Sequence, residues 1–406
     1  SDAGLGLELT ATFRSEGDHI SVQASLHDTT GADRSISLYF ALPLAPEERT
    51  WWKDIRVSDP AESTVEHSYA MDTTRRWDTT TNGWVANDGW GSNGWMSVYP
   101  LSALSGRAGL TLAYPMDHPV ISRFAYNSQA KQYFFVSELG LSPMTRQPGH
   151  ADVRFILYRH DPDWGFRAAF EKYVSIYPDF FTRRVDEDGI WVAHADLQGI
   201  DRIEDFGIKF HSTGNAGVYD DDDSVDAYTL RYLTEPWGHR ENDLGVPTDD
   251  YDAVMGAVHD MLSSSVDNTR RWGNAILSSG AFDEDGLYRY ETTSEPWASH
   301  AASFILNADP DLEIEGYTTS RAEQGWSENR QEPYHHPEWG ILDGEYIDSF
   351  ESRGIYCNYR QEHFAFSDLP LTFATANNRP ILPHIFSSYE FTKWVSGDVH
   401  ALGKYC

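Results

Sequence analysis

Apolar and polar residues alternate with a period of two over residues 7–13, 20–26, 36–42, 110–114, 132–139 and 152–158. Each run is bounded by Gly, Asp, Asn or Pro. Alternation gives a strand one face for a core and one for water, and a series of such runs predicts an antiparallel β-sandwich. Residues 1–162 are assigned to that sandwich. The stretch 77–95, rich in Gly, Asn and Trp, is predicted as a long loop.

Near residue 163 the period changes. Trp164, Phe166, Ala169, Phe170 and Tyr173 recur at helical spacing, with Asp163 as a candidate N-cap. Residues 163–188 therefore predict a helical linker. From Gly189 the pattern becomes short apolar runs that end in acidic or polar residues. Runs at 190–194, 216–219, 228–233, 304–307 and 345–348 predict strands, 250–271 a helix, and 370–375 with 380–386 the last segments. Strand, polar end and helix in succession predict a β/α (TIM-like) barrel over 189–406, whose chemistry gathers at strand C-termini. That stretch is shorter than the roughly 250 residues of a full barrel, so the barrel is expected to be incomplete at the C-terminus.

The length of 406 residues agrees with two domains. The chain has 63 acidic and 31 basic residues, a formal charge of -32. Such a field repels nucleic acid and polyanionic glycans and favours a neutral or weakly charged partner. The 14 Trp and 22 Tyr supply flat apolar surfaces of the kind that stack on sugar rings. Cys357 and Cys406 leave both a disulfide and free thiols open. No apolar run is long enough to predict a transmembrane segment. No phosphate-binding Gly loop, Gly-x-Ser-x-Gly elbow or zinc spacing occurs. The chain starts at Ser1, which suggests processing, and a secreted, cell-surface or periplasmic location follows from the function class rather than from a signal.

The densest chemistry is Asp343-Gly344-Glu345-Tyr346-Ile347-Asp348-Ser349-Phe350-Glu351. Alternation sets Gly344, Tyr346 and Asp348 on one face, and Glu345 and Ile347 on the other. A carboxylate at a strand end can serve as nucleophile, base or electrostatic stabiliser at a glycosidic carbon. Asp348 is the first catalytic candidate. Glu235, in Thr234-Glu235-Pro236-Trp237, is the second, because glycosidic hydrolysis uses two carboxyl groups. Trp191 and Trp237 are candidate sugar platforms. Asp196, Glu345, Glu351 and His363 are candidate substrate-binding groups. Asp220, Asp221 and Asp222 form an acidic knot that is a weak Ca²⁺ candidate without EF-hand spacing. No other metal or cofactor is expected.

Five strings carry a resemblance: 164–169 (Trp-Gly-Phe-Arg-Ala-Ala), 189–191 (Gly-Ile-Trp), 232–237 (Tyr-Leu-Thr-Glu-Pro-Trp), 343–349 (Asp-Gly-Glu-Tyr-Ile-Asp-Ser) and 362–364 (Glu-His-Phe). They resemble an uncharacterised family of large bacterial glycoside-hydrolase-like proteins. The order of sandwich then barrel is similar to the α-galactosidase-type clan, where the resemblance implies an Asp nucleophile and an Asp acid at strand ends. Asp348 matches one of them, and no second Asp motif is found. The function expected is a glycoside hydrolase acting on an oligo- or polysaccharide. The alternatives are a non-catalytic glycan-binding or structural protein on the same scaffold, and a polysaccharide lyase with a Tyr or His base. Sugar, linkage and oligomeric state are left open.

Overall fold

The structure is a computed structural model. It describes residues 4–78, 81–213, 219–233, 235–295, 298–336, 340–350 and 355–406. Its contacts divide into two units. One comprises Ser1–Thr182 with Gly354–Pro383, the other Arg183–Arg353 with His384–Cys406.

The first unit is a β-sandwich. A seven-stranded antiparallel sheet runs in the order Leu7–Ser15, His19–Asp28, His150–His160, Gly109–Ala113, Ala103–Ser105, Thr50–Trp52, Ser58–Pro60. A four-stranded sheet runs Arg34–Pro43, Gln132–Leu141, Ser122–Asn127, Glu66–Ser68. Inward positions of both sheets, among them Val22, Leu26, Trp51, Phe124, Phe135 and Phe155, share one core. All six strands expected here from alternation are present. His19–Asp28 and His150–His160 show the alternating burial that the period-two pattern implies, whereas Gln132–Leu141 is buried on both faces.

Two local expectations fail. Residues 77–95 are not a plain loop: Arg75–Asp78 and Gly83–Ala86 form a hairpin, and Trp95–Ser97 is a strand. Asp163 does not cap the following helix. That helix is Phe166–Ile176, and its N-cap is Gly165 at φ 50°, with no side-chain cap. A Cβ on Gly165 would overlap the Trp52 indole, so a close approach rather than capping chemistry sets this boundary.

The segment 355–383 belongs to this unit, although the sequence pattern places it with the barrel. Gly140 N–H donates to Leu371 O at 2.8 Å, and Thr372 Oγ1–H donates to Glu138 O at 2.7 Å. Among the described residues there is no disulfide: Cys406 is exposed, and the buried Cys357 thiol points to Gly89 O at 3.7 Å.

The second unit is built on four parallel strands: β1 (Ile190–Ala193), β2 (Ile208–Thr213), β3 (Tyr228–Leu233) and β4 (Gly344–Ile347), in that spatial order. β1, β3 and β4 stand where the pattern predicts them. The second strand does not. It is Ile208–Thr213, whereas Tyr219–Ser224 is a helix and residues 216–218 lie outside the described residues. Between β3 and β4 a three-stranded antiparallel sheet packs on helices Tyr251–Met261 and Asp267–Ser279, which divide the single helix expected over 250–271. The expected strand at 304–307 is the end of Ala298–Ile305 in that sheet. Helix His384–Ala401 follows the 355–383 excursion and buries Phe391, Val395 and Val399, four residues apart, against Leu233 and Trp326.

The described residues thus show a curled parallel sheet rather than a closed barrel. In a flat sheet the first and fourth strands lie about 14 Å apart, three spacings of roughly 4.8 Å. Yet Trp191 of β1 stacks on Tyr346 of β4, with ring centroids 5.0 Å apart and planes at 22°. The sheet curls enough for these two side chains of its outer strands to meet across the concave face.

Candidate functional site

Registry decides which side chains share that concave face. Trp191 is opposite Phe210, Phe210 opposite Tyr228, and Tyr232 opposite Tyr346. The face is an aromatic floor. At its C-terminal end the chain leaves β1 through His194 and β4 through Ser349, both at φ 52°. Left-handed His and Ser are uncommon, and such strained positions concentrate at functional sites.

Asp348 follows β4 directly and continues its ladder, donating its N–H to Leu233 O at 3.0 Å. The Tyr232 hydroxyl donates to Asp348 Oδ2. Burial, the bond to Asp348 and the charges of Asp348 and Glu235 hold the Tyr232 phenol well above its ordinary value. Of the two catalytic candidates, Asp348 is the one hydrogen-bonded to this hydroxyl. The His194 ring lies 5.3 Å from the Tyr232 ring and tilted to it.

Glu235 follows β3 and is half-buried. Arg321 holds its turn: Nη2–H donates to Glu235 O at 2.7 Å and Nε–H to Gly238 O at 3.2 Å. Arg321 is itself buried between Trp272 and Phe391. Burial pushes its guanidinium down to about 10, against the raising effect of the Glu235 charge.

The other sequence candidates divide. Trp191 is 44% exposed and keeps the place of a platform. Trp237 does not: it is 3% exposed, and its indole N–H donates to Ser349 O at 2.8 Å. It braces the Asp348 loop rather than meeting a ligand. Asp196 is exposed after β1, and its Oδ1 accepts from Gly199 N–H at 3.2 Å. Glu345 points to the opposite, convex side and is 1% exposed. It pairs with Arg231 and Arg330 and accepts the Tyr334 hydroxyl at 2.9 Å, so it is structural and not substrate-binding. His363 belongs to the first unit, fully buried with Nδ1 3.0 Å from Asn358 Nδ2. A buried ring so placed offers no open edge to a sugar. Glu351 lies outside the described residues.

The acidic knot does not converge. On a helix, neighbouring side chains diverge by about 100°. Asp221 accepts from Gln198, Asp222 from His211 and Thr229, and Asp223 from the N–H of Ile341. The side chain of Asp220 is outside the described set. No group of three metal-ligating side chains occurs among the described residues.

His211 is a residue the sequence reading missed. Its Nδ1 sits 2.9 Å from both Asp222 oxygens, and its Nε2 is 3.2 Å from Ala195 N. Ala195 N–H can only donate, so Nε2 accepts and the proton sits on Nδ1. The ring thereby ties the β1 exit, with His194 and Asp196, to the helix that begins at Tyr219. No local motif marks it, because its partners lie on two other elements.

No family model and no curated protein matches this chain. Among solved structures it is similar to α-N-acetylgalactosaminidase NagBb from Bifidobacterium bifidum, at 10% identity and a TM-score of 0.40, over 98% of this chain and 68% of that one. A GH36 α-galactosidase, AgaA from Geobacillus stearothermophilus, matches at 13% identity and 0.39, over 76% of this chain and 44% of that one. The uncharacterized protein lmo2446 from Listeria monocytogenes, solved with glucose, magnesium and calcium, matches at 10% and 0.40, over 97% and 40%. The chain spans less than half the length of the last two. The two neighbours with a named activity are glycoside hydrolases.

Proposed function

We propose that the second unit is the catalytic part of a glycoside hydrolase acting on a neutral or weakly charged glycan. One observation carries the reading: Asp348 stands at the C-terminal end of a curled parallel sheet, hydrogen-bonded to Tyr232, on the concave face that also presents Trp191. A half-buried carboxylate beside an aromatic floor suits an oxocarbenium-like transition state over a pyranose ring. Glu235 is the proposed second carboxyl, supported by its place just past the C-terminal end of β3, the neighbour of β4 in the sheet. The curl supports a β/α barrel as the full architecture, to which these four strands contribute. A secreted or cell-surface location goes with a polymeric glycan as substrate.

The test is cleavage of a panel of 2,4-dinitrophenyl glycosides of neutral hexoses by the chain and by Asp348→Asn. The expected result is cleavage of at least one glycoside and a loss of 10³-fold or more in the variant, in the range of a removed catalytic group. Unchanged cleavage by Asp348→Asn removes the proposal. If the panel binds without cleavage, the unit is a glycan-binding module instead.

A further inference from the structure

Tyr232 is held from three directions. Its ring lies between His194, at 5.3 Å, and Tyr346, at 5.8 Å. Its backbone carbonyl accepts from Arg330 Nη2–H at 2.7 Å, and the same guanidinium pairs with buried Glu345. Its hydroxyl reaches along the neighbouring strand, past its register partner Tyr346, to Asp348 Oδ2. The side chain has little freedom left, so its hydroxyl is a fixed point on the concave face.

We infer that Tyr232 is the positioning residue of Asp348, occupying Oδ2 so that the carboxylate presents its other oxygen to the substrate. This rests on Asp348 being the reacting carboxylate. Whether it acts as nucleophile or base, a carboxylate works through one oxygen, and a donor on the other fixes its rotation about the Cβ–Cγ bond. Tyr232 itself is a poor nucleophile here. Burial and two neighbouring carboxylates keep its phenol protonated, and a protonated phenol beside an anion can only donate.

Tyr232→Phe removes one hydroxyl from a half-buried ring and leaves the packing in place. With a glycoside that the chain cleaves, kcat falls about 10- to 100-fold, the range for a hydrogen bond to a charged group. KM stays within about twofold. A merely structural role would not lower kcat while sparing KM. Full activity in Tyr232→Phe overturns the inference. So does a loss as deep as that of Asp348→Asn, because Tyr232 then takes part in bond-making itself. A second measurement does not depend on turnover. With ¹³Cζ-tyrosine in the full chain, the Tyr232 resonance, assigned by its absence in Tyr232→Phe, begins to titrate at lower pH in Asp348→Asn. A resonance that ignores Asp348→Asn overturns the link even if no glycoside is cleaved. A glycoside cleaved equally by wild type and Asp348→Asn leaves the link standing and defeats only the reading of the reaction.

Discussion

Glu345 makes the sharpest stability prediction. Its buried carboxylate meets two guanidinium groups and a phenol. Arg231 donates from Nη2 to Oε1, with Nε 3.4 Å from Oε2. Arg330 Nη2 lies 3.3 Å from Oε2, and the Tyr334 hydroxyl 2.9 Å from Oε1. Burial already pulls the Arg330 guanidinium below its ordinary value, opposed by the Glu345 charge. Glu345→Ala removes the anion and strands two largely buried cations. Breaking a buried pair from one side costs about 3–5 kcal/mol, because the remaining charge is uncompensated. Arg231→Met should cost less, by at least about 1 kcal/mol, since Glu345 keeps Arg330 and Tyr334. The assay is native-state hydrogen exchange at the β3 and β4 amides, which reports this unit alone. At roughly 1.4 kcal/mol per tenfold, Glu345→Ala should speed exchange there by about a hundred to a few thousand fold. An acceleration under about fivefold, or a larger effect from Arg231→Met, refutes the reasoning.

Three further outcomes are expected. Gly140→Ala sets a Cβ against the Thr372 carbonyl and should loosen the 355–383 segment by about 3 kcal/mol, read as faster proteolysis there, whereas Gly256→Ala, with open space around it in helix Tyr251–Met261, should stabilise by about 0.5–1 kcal/mol. His160 is buried with Nδ1 2.8 Å from Thr111 Oγ1, and burial holds its imidazole down to about 4. Its contribution is full above about pH 6.5 and is lost as pH falls from there towards 4, up to about 3 kcal/mol, so His160→Gln should flatten the stability–pH curve in that window; parallel curves would contradict it. Trp191→Ala should raise KM about three- to tenfold at similar kcat for a cleaved glycoside, and an unchanged KM would end its role as a platform.

Local pattern and structure part company at particular residues. Asp348 was legible because a short apolar run ends on it, and alternation also put Glu345 on the opposite face. What that face meets was not legible: Arg231 is on β3 and Arg330 on a helix between β3 and β4. Trp237 looked like Trp191 in composition, yet one is sealed against Ser349 and the other is open. The strand at 208–213 was missed because His211, Ser212 and Thr213 are polar and still buried. His211 is satisfied by Asp222 and Ala195 on other elements, whereas period-two logic reads polar residues as wet. Helix His384–Ala401 hides its apolar row among His, Ser and Tyr, several of which are buried too.

By itself, the sequence determined the sandwich strands, three of the four parallel strands and the acidic ends of those strands. These follow from local physics, in which the spacing of apolar residues and the turn residues between runs mark each strand. Only the tertiary structure decided that residues 355–383 return to the sandwich unit, that the sheet curls until Trp191 meets Tyr346, and that Asp348 is held by Tyr232. Those depend on contacts between residues far apart in the chain, whose energy comes from burial and hydrogen bonding across elements. A local pattern carries no record of them.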